Sequence, residues 1–218
     1  MEKKHQFNHL LILGGAGRVG QPLLEQALGA GYRVTALVRD ASRLRITGGD
    51  NLSVIEGDAA EASDLEAAFA ERPDAVLSTL GRYVKTPVTP MTDITQTLLR
   101  TMDRNDVSRL VLMSSMGVGN SRRWGGLTEQ FVIRFVLRHV LVDKNMQENA
   151  LTESDVNWTV LRPPRILDIE SRNEYHRWRD SLDGLKPRWK ISRGDAAAEV
   201  LRLLEDPTTI GQAWHISY

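Results

Sequence analysis

The chain of 218 residues contains no cysteine, which removes disulfides, thiolate metal sites and cysteine nucleophiles together. It carries no net charge either, with Lys+Arg and Asp+Glu at 28 each. No global field draws it to nucleic acid or to a membrane surface, and neither is expected as a partner. Long hydrophobic runs are also missing. The most apolar late stretch, FVIRFVLRHVLV (131–142), is interrupted by Arg134, Arg138 and His139 and is too short to span a bilayer. The amino-terminal MEKKHQFN has no apolar signal core behind its charges, so the expected location is the cytoplasm. The five histidines (His5, His9, His139, His176, His215) are scattered, and no G-x-S-x-G or H-E-x-x-H occurs. Hydrolase and metalloenzyme readings are therefore unsupported, and no metal is expected.

What is present is an alternation of strand-like and helix-like segments. Strands are predicted at 9–14, 33–38, 52–57, 74–80, 108–115 and 157–163, and helices at 18–30, 61–72, 91–105 and 127–154. A helix at 194–206 and a short strand, QAWHIS, close the sequence. Several strands are near-continuous apolar runs, as strands buried on both faces should be. Repeated β–α units of this kind imply an α/β fold: a Rossmann-like, doubly wound parallel sheet with helices on both sides. Residues 1–218 are expected to form a single domain with a small C-terminal segment on the substrate side. The regularity lapses at 117–126 and 165–192, both after strand C-terminal ends, where open α/β sheets bind ligands. The second lapse suggests a hairpin turning at Asp183-Gly184.

Gly14, Gly17 and Gly20 form G-x-x-G-x-x-G between the first strand and the first helix, with Arg18 and Val19 inside the motif. Gly14 suits the tight turn, Gly17 lets the backbone approach a pyrophosphate, and Gly20 lets the helix pack close to the sheet. No G-K-[ST] follows, so this is not a nucleoside-triphosphate loop. The second strand ends ALVRD, with Arg39, Asp40 and then Arg43. A guanidinium there suits a 2′-phosphate, which favours NADP over NAD, though NAD stays possible as cofactor. The alternative is an exposed arginine paired with Asp40.

GGAGRVG, LVRDASRL, GDAAEASDL, LVLMSSMGVG, TVLRPPRI and ISRGDAAAEVL together resemble the atypical short-chain dehydrogenase/reductases. The resemblance is to their NmrA-like, NAD(P)H-binding branch, which includes flavin reductase/biliverdin reductase B, and it covers nearly the whole chain. It implies that Asp58, with Ala59 beside it, reaches the adenine amino group, and that Leu80 and Gly81 form a cofactor-facing strand tip. It implies an active-site serine at Ser115 and, at Lys144, the lysine that hydrogen-bonds the nicotinamide ribose. Pro163, Pro164 and Arg165 match the turn that passes the nicotinamide. Where the family carries a catalytic tyrosine, four residues before the lysine, this chain has Val140, which cannot move a proton. His139 is expected on an exposed helix face, and Tyr83 in a loop, where packing is the favoured role and covering the cofactor the alternative.

Two functions follow. One is an NAD(P)H-dependent reductase passing hydride to a flavin, a quinone or a similar conjugated acceptor, which can take its proton from solvent. The other is an NmrA-like, NADP-binding redox sensor read by a protein partner. Between Arg172 and Arg193, Arg177, Arg179, Lys186, Arg188 and Arg193 mix with Tyr175, Trp178 and Trp189. That mixture could stack on and charge-match an anionic planar substrate at the mouth, or form a solvated surface. The segment 127–142 could be a dimer face or be buried within one subunit, so monomer and homodimer are both open.

Overall fold

The computed structural model describes residues 5–46, 49–124, 126–182 and 184–218. Its main sheet has eight strands, β1 (His9–Leu13), β2 (Arg33–Val38), β3 (Leu52–Glu56), β4 (Ala75–Ser78), β5 (Arg109–Met113), β6 (Asn157–Arg162), β8 (His176–Trp178) and β10 (Gln212–Ser217). They run in the order β3-β2-β1-β4-β5-β6-β10-β8. Every pairing is parallel except that of β8 with β10. The apolar runs explain the central position of β1, β4 and β5, each buried along its whole length. With both faces covered, such strands have no polar side to offer to water.

Helices α1 (Gly20–Gly29) and α6 (Arg193–Glu205) cover one face, where Leu23, Leu24, Val200 and Leu203 meet Leu10, Ile12 and Leu161. Helices α2 (Ala62–Phe69), α3 (Pro90–Arg104) and α5 (Arg138–Thr152) cover the other, where Phe69, Leu98 and Leu151 meet Leu11, Leu13 and Val160. The strand order reverses at β1, which has β2 on one side and β4 on the other. That switch point opens the crevice in which doubly wound sheets receive ligands.

The structure departs from the expected elements in two places. The helix expected at 127–154 is interrupted: α4 (Leu127–Phe131) leads into a π-helical turn (Val132–Val136) before α5 begins. In that turn the Leu137 amide donates to the Val132 carbonyl, five residues back. The β-branched Val132, Ile133 and Val136 crowd a regular α-helix, which eases the widening. The hairpin expected within 165–192 does not form as such. Asp183 lies outside the described residues, and the strands on either side of it go to different sheets. β8 adds to the edge of the main sheet, while β7 (Arg165–Leu167) pairs in parallel with β9 (Lys190–Ser192) in a small second sheet. Three-residue strands carry too little periodicity to be read from sequence.

Candidate functional site

The site is built on the C-terminal ends of the strands. Gly14 closes β1 with φ +83, a conformation that a side chain disfavours, and a Cβ there would also stand 3.0 Å from the Thr79 hydroxyl. Gly20 meets a stricter limit, since any Cβ would overlap the Gly14 carbonyl oxygen. The Gly17 amide donates to that same carbonyl at 2.8 Å and the Gln21 amide to Gly17 at 3.1 Å. Arg18 is exposed, and its guanidinium reaches the Ile166 carbonyl of β7 at 3.3 Å, bridging the glycine loop to the second sheet. Val19 is buried beneath the loop. The backbone N–H groups of Arg18 and Val19 donate to no acceptor among the described residues. Two free amides at the start of α1 make a cradle for an anion.

At the tip of β2, Asp40 accepts from the Ser42 amide at 3.0 Å and its hydroxyl at 2.5 Å, capping the short turn Ala41–Arg43. Arg39 and Arg43 are exposed, and neither forms an ion pair among the described residues. The arginine–Asp40 pairing is thus not found. Gln21 of α1 fixes this turn, donating to the Arg43 carbonyl at 2.6 Å and accepting from the Arg45 amide at 3.1 Å. Nothing in the sequence pointed to Gln21 as that brace. After β3, Asp58 is half-buried; one carboxylate oxygen accepts from the Ala60 amide at 3.0 Å. Ala59 packs into the core, whereas Leu80 and Gly81 follow β4 with Leu80 half-buried and Gly81 exposed.

Ser115 and Lys144 converge on the end of β5. Lys144 is 6 % exposed, and its Nζ donates to the Met113 carbonyl at 3.2 Å. It is not a solvated lysine. Burial pushes its amine down to about 8, against the pull of Glu148 and Asp143. Ser115 is half-buried and donates to the Met116 carbonyl at 3.0 Å, which leaves its lone pairs free to accept. Its neighbour Ser114 is buried, with no partner for its hydroxyl among the described residues. Pro163 is buried, and its carbonyl takes the Met116 amide at 2.9 Å, so the turns after β5 and β6 are stitched together. Pro164 is half-buried and Arg165 exposed. Val140 is half-buried; His139, also half-buried rather than exposed, accepts from Arg138 at 3.0 Å. Tyr83 is exposed in the loop after β4, its hydroxyl 3.5 Å from the Val136 carbonyl.

Several supporting residues escaped the sequence reading. Asp143, adjacent to Lys144, is buried and caps α3: it accepts from the Met91 and Thr92 amides at 3.0 Å each and from the Thr92 hydroxyl at 2.8 Å. Arg162 pairs with Glu148 at 2.5 Å and donates to Asn120 at 2.9 Å, tying the loop after β5 to α5 and β6. These partners are far apart in sequence, and no local pattern announces them. The aromatic-basic segment holds Trp178 against His215 at 5.7 Å between ring centroids, with Trp124 on the same imidazole at 4.5 Å. His215 is buried, and neither ring nitrogen closes a hydrogen bond among the described residues. Burial, then Arg162, push its pKa down to about 3, although the nearby Trp178 and Arg179 carbonyls favour the cation. A depression of about 550 Å³ opens at the opposite end of the sheet, among Gln6, Arg72 and Asp106, and holds none of the candidate residues.

A family model described as NAD(P)H-binding matches residues 14–207, beginning at the first glycine of the cradle. An uncharacterized chloroplastic protein of Arabidopsis thaliana is 26% identical over 161 residues, 71% of this chain and 58% of that one. The chain thus spans little more than half the length of that curated relative. Among solved structures, a short-chain dehydrogenase/reductase of Veillonella parvula in complex with NADP is similar, with TM-score 0.83 and 19% identity, covering 98% of this chain and 95% of the other. An anaerobilin reductase of Escherichia coli O157:H7 is similar with TM-score 0.80 and 23% identity, covering 96% and 97%. At such identities these two establish a shared fold. No helix among the described residues is long and apolar enough to cross a membrane.

Proposed function

The chain belongs to the NAD(P)H-binding family, and from that premise we propose that it is an NADPH-dependent reductase passing hydride to a conjugated acceptor such as a flavin or quinone. The observation that carries this reading is the pair of free amides before α1, taken with Val140 four residues before the buried Lys144, where the resembled enzymes keep their proton donor. The residues present fit the cofactor: two amides for the pyrophosphate and two guanidiniums, Arg39 and Arg43, for a 2′-phosphate, all without partners among the described residues. A bidentate guanidinium–phosphate pair is a strong, oriented contact.

When bound, the reduced nicotinamide supplies the hydride. Lys144 spends one of its three protons on Met113 and keeps two to donate to the ribose. Ser115 accepts from, and so orients, the carboxamide or the acceptor. Pro163 and Pro164 wall the site on the β6 side and keep water from it. Val140 offers no proton, so the acceptor must tolerate protonation from solvent; flavins and quinones do, whereas epimerase and dehydratase chemistry does not.

The test is loss of reduced-nicotinamide absorbance with NADPH and NADH across free flavins and quinones. Turnover with NADPH is expected, falling at least tenfold in Ser115→Ala. Replacing Arg39 and Arg43 with Gln should weaken NADPH binding about tenfold, on the order of 1.4 kcal/mol, and leave NADH nearly unchanged. The second reading, an NADP-binding sensor, gains from exposed Phe131 and Phe135, 59% and 63% accessible, whose rings stand 5.0 Å apart as an apolar pair. Tight NADPH binding without turnover of any acceptor would favour it.

A further inference from the structure

The anionic match expected over 172–193 finds much of its charge engaged. Arg177 pairs with Glu199 at 2.7 Å and lies over Trp214, Arg179 lies over the same ring, and Arg193 pairs with Asp168. Positive charge without an ion-pair partner among the described residues stands instead in the loop after β5 and in the π-helical turn after α4. Arg122, Arg123 and Arg134 line, with Gln130 and Ile133, a cavity of about 360 Å³. None of the three arginines forms an ion pair among the described residues; Arg134 lies over the Phe135 ring at 5.9 Å and keeps its full charge.

The loop that presents Arg122 and Arg123 is held by several hydrogen bonds. The Ser121 hydroxyl accepts from the Gly117 amide at 2.9 Å and donates to Val118 at 2.7 Å. Gln130 donates to the carbonyls of Arg122 and Trp124, at 3.2 and 2.7 Å. Asn120 is held by Arg162, and the Gly119 amide by Asn145 at 3.3 Å. Ile133, the apolar wall of the cavity, packs with Val118, and a Cβ on Gly117, two residues past Ser115, would stand 3.3 Å from it. Ile133 therefore joins the cavity wall to the short turn that follows Ser115. Three guanidiniums around a small space repel one another until an anion lies between them.

Building on the reductase reading, we propose that this cavity is an anion subsite for the acceptor. The acceptor class is then a conjugated molecule bearing a carboxylate or phosphate, which seats among Arg122, Arg123 and Arg134 while the conjugated part is reduced beside Ser115. The balance is simple: one hydride from NADPH and one proton from solvent reduce the acceptor and leave NADP+.

FMN and riboflavin share a ring system and differ by a phosphate, which makes them suitable probes. On NADP+-saturated protein, equilibrium binding read by flavin fluorescence should favour FMN at least tenfold at low salt, the preference shrinking as salt screens it. Replacing all three arginines with Gln should bring the FMN-to-riboflavin ratio near one, and replacing them with Lys should restore part of it. Equal affinities in the parent protein, or a preference that survives the Gln replacements, overturns the proposal. For an acceptor that is not a flavin, the same complex is titrated calorimetrically with inorganic pyrophosphate. Binding that disappears in the Gln variant supports the subsite; failure of pyrophosphate and both flavins to bind overturns it. Reduction of riboflavin by NADPH, which needs no anion subsite, tests the reductase reading separately.

Discussion

At the scale of single residues, Lys144 shows a conflict between stability and function. Its amine is enclosed between α5 and β5 and held near 8 by burial, below its value of about 10.4 in an unfolded chain. Between those two values the unfolded chain binds the extra proton, so the contribution of this group to stability rises with pH from about 8 and is least below it. Lys144→Met should therefore be more stable than the parent at pH 7, by up to about 3 kcal/mol, and the gap should close toward pH 10. Urea denaturation of both proteins at several pH values measures this. Tyr32 and Tyr175, whose hydroxyls are pushed up by burial and by Glu205 and Glu199, change stability at high pH in both proteins and cancel in the difference. A variant that is stabilised yet binds NADPH more weakly would mark Lys144 as a residue kept for its donor protons.

At the scale of elements, α3 owes its start to another helix. Thr89, the residue before it, makes no side-chain cap, and Asp143 of α5 supplies the missing acceptor from 52 and 51 positions away. Asp143→Ala leaves the Met91 and Thr92 amides and the Thr92 hydroxyl without their partner inside the protein. A loss of about 2–4 kcal/mol in a thermal or denaturant melt is expected, above the roughly 1 kcal/mol of an exposed cap. This element also shows what the sequence made legible. The span of α3 was readable to within one residue at each end, because Met91, Leu98 and Met102 keep the helical period. Its cap was not readable, because the capping carboxylate belongs to a helix distant in sequence. The same division holds at the site. Gly14, Gly17 and Gly20 act within seven residues and could be read directly, whereas Gln21 bracing Arg43, and Arg162 joining Glu148 to Asn120, exist only once the sheet has assembled.

At the scale of the whole molecule, the parallel strands could be placed from their apolar runs, but the far edge of the sheet could not. Strand β8 has three residues and joins antiparallel to β10, placing Trp178 beside His215. The imidazole there is held neutral, with its pKa near 3 against about 6.5 when unfolded. Between those values the unfolded chain takes the proton, so stability present above pH 6.5 is lost as the pH falls toward 3. The loss can reach roughly 4–5 kcal/mol. His215→Phe, which keeps an aromatic ring and removes the titrating group, should flatten that part of the profile. Melting temperatures of parent and variant between pH 7 and 4 provide the comparison; parallel curves would show that the ring is not isolated as described.

The placement of Trp124 has a practical consequence. It follows Arg123 directly and rests on the His215 ring, 4.5 Å between centroids, so its indole responds to any ligand that alters the surroundings of that loop. The protein thus carries a native optical gauge at its arginine-rich rim. Emission lost in Trp124→Phe would isolate this signal from the other four tryptophans, letting events at the rim be timed in stopped flow without attaching a dye.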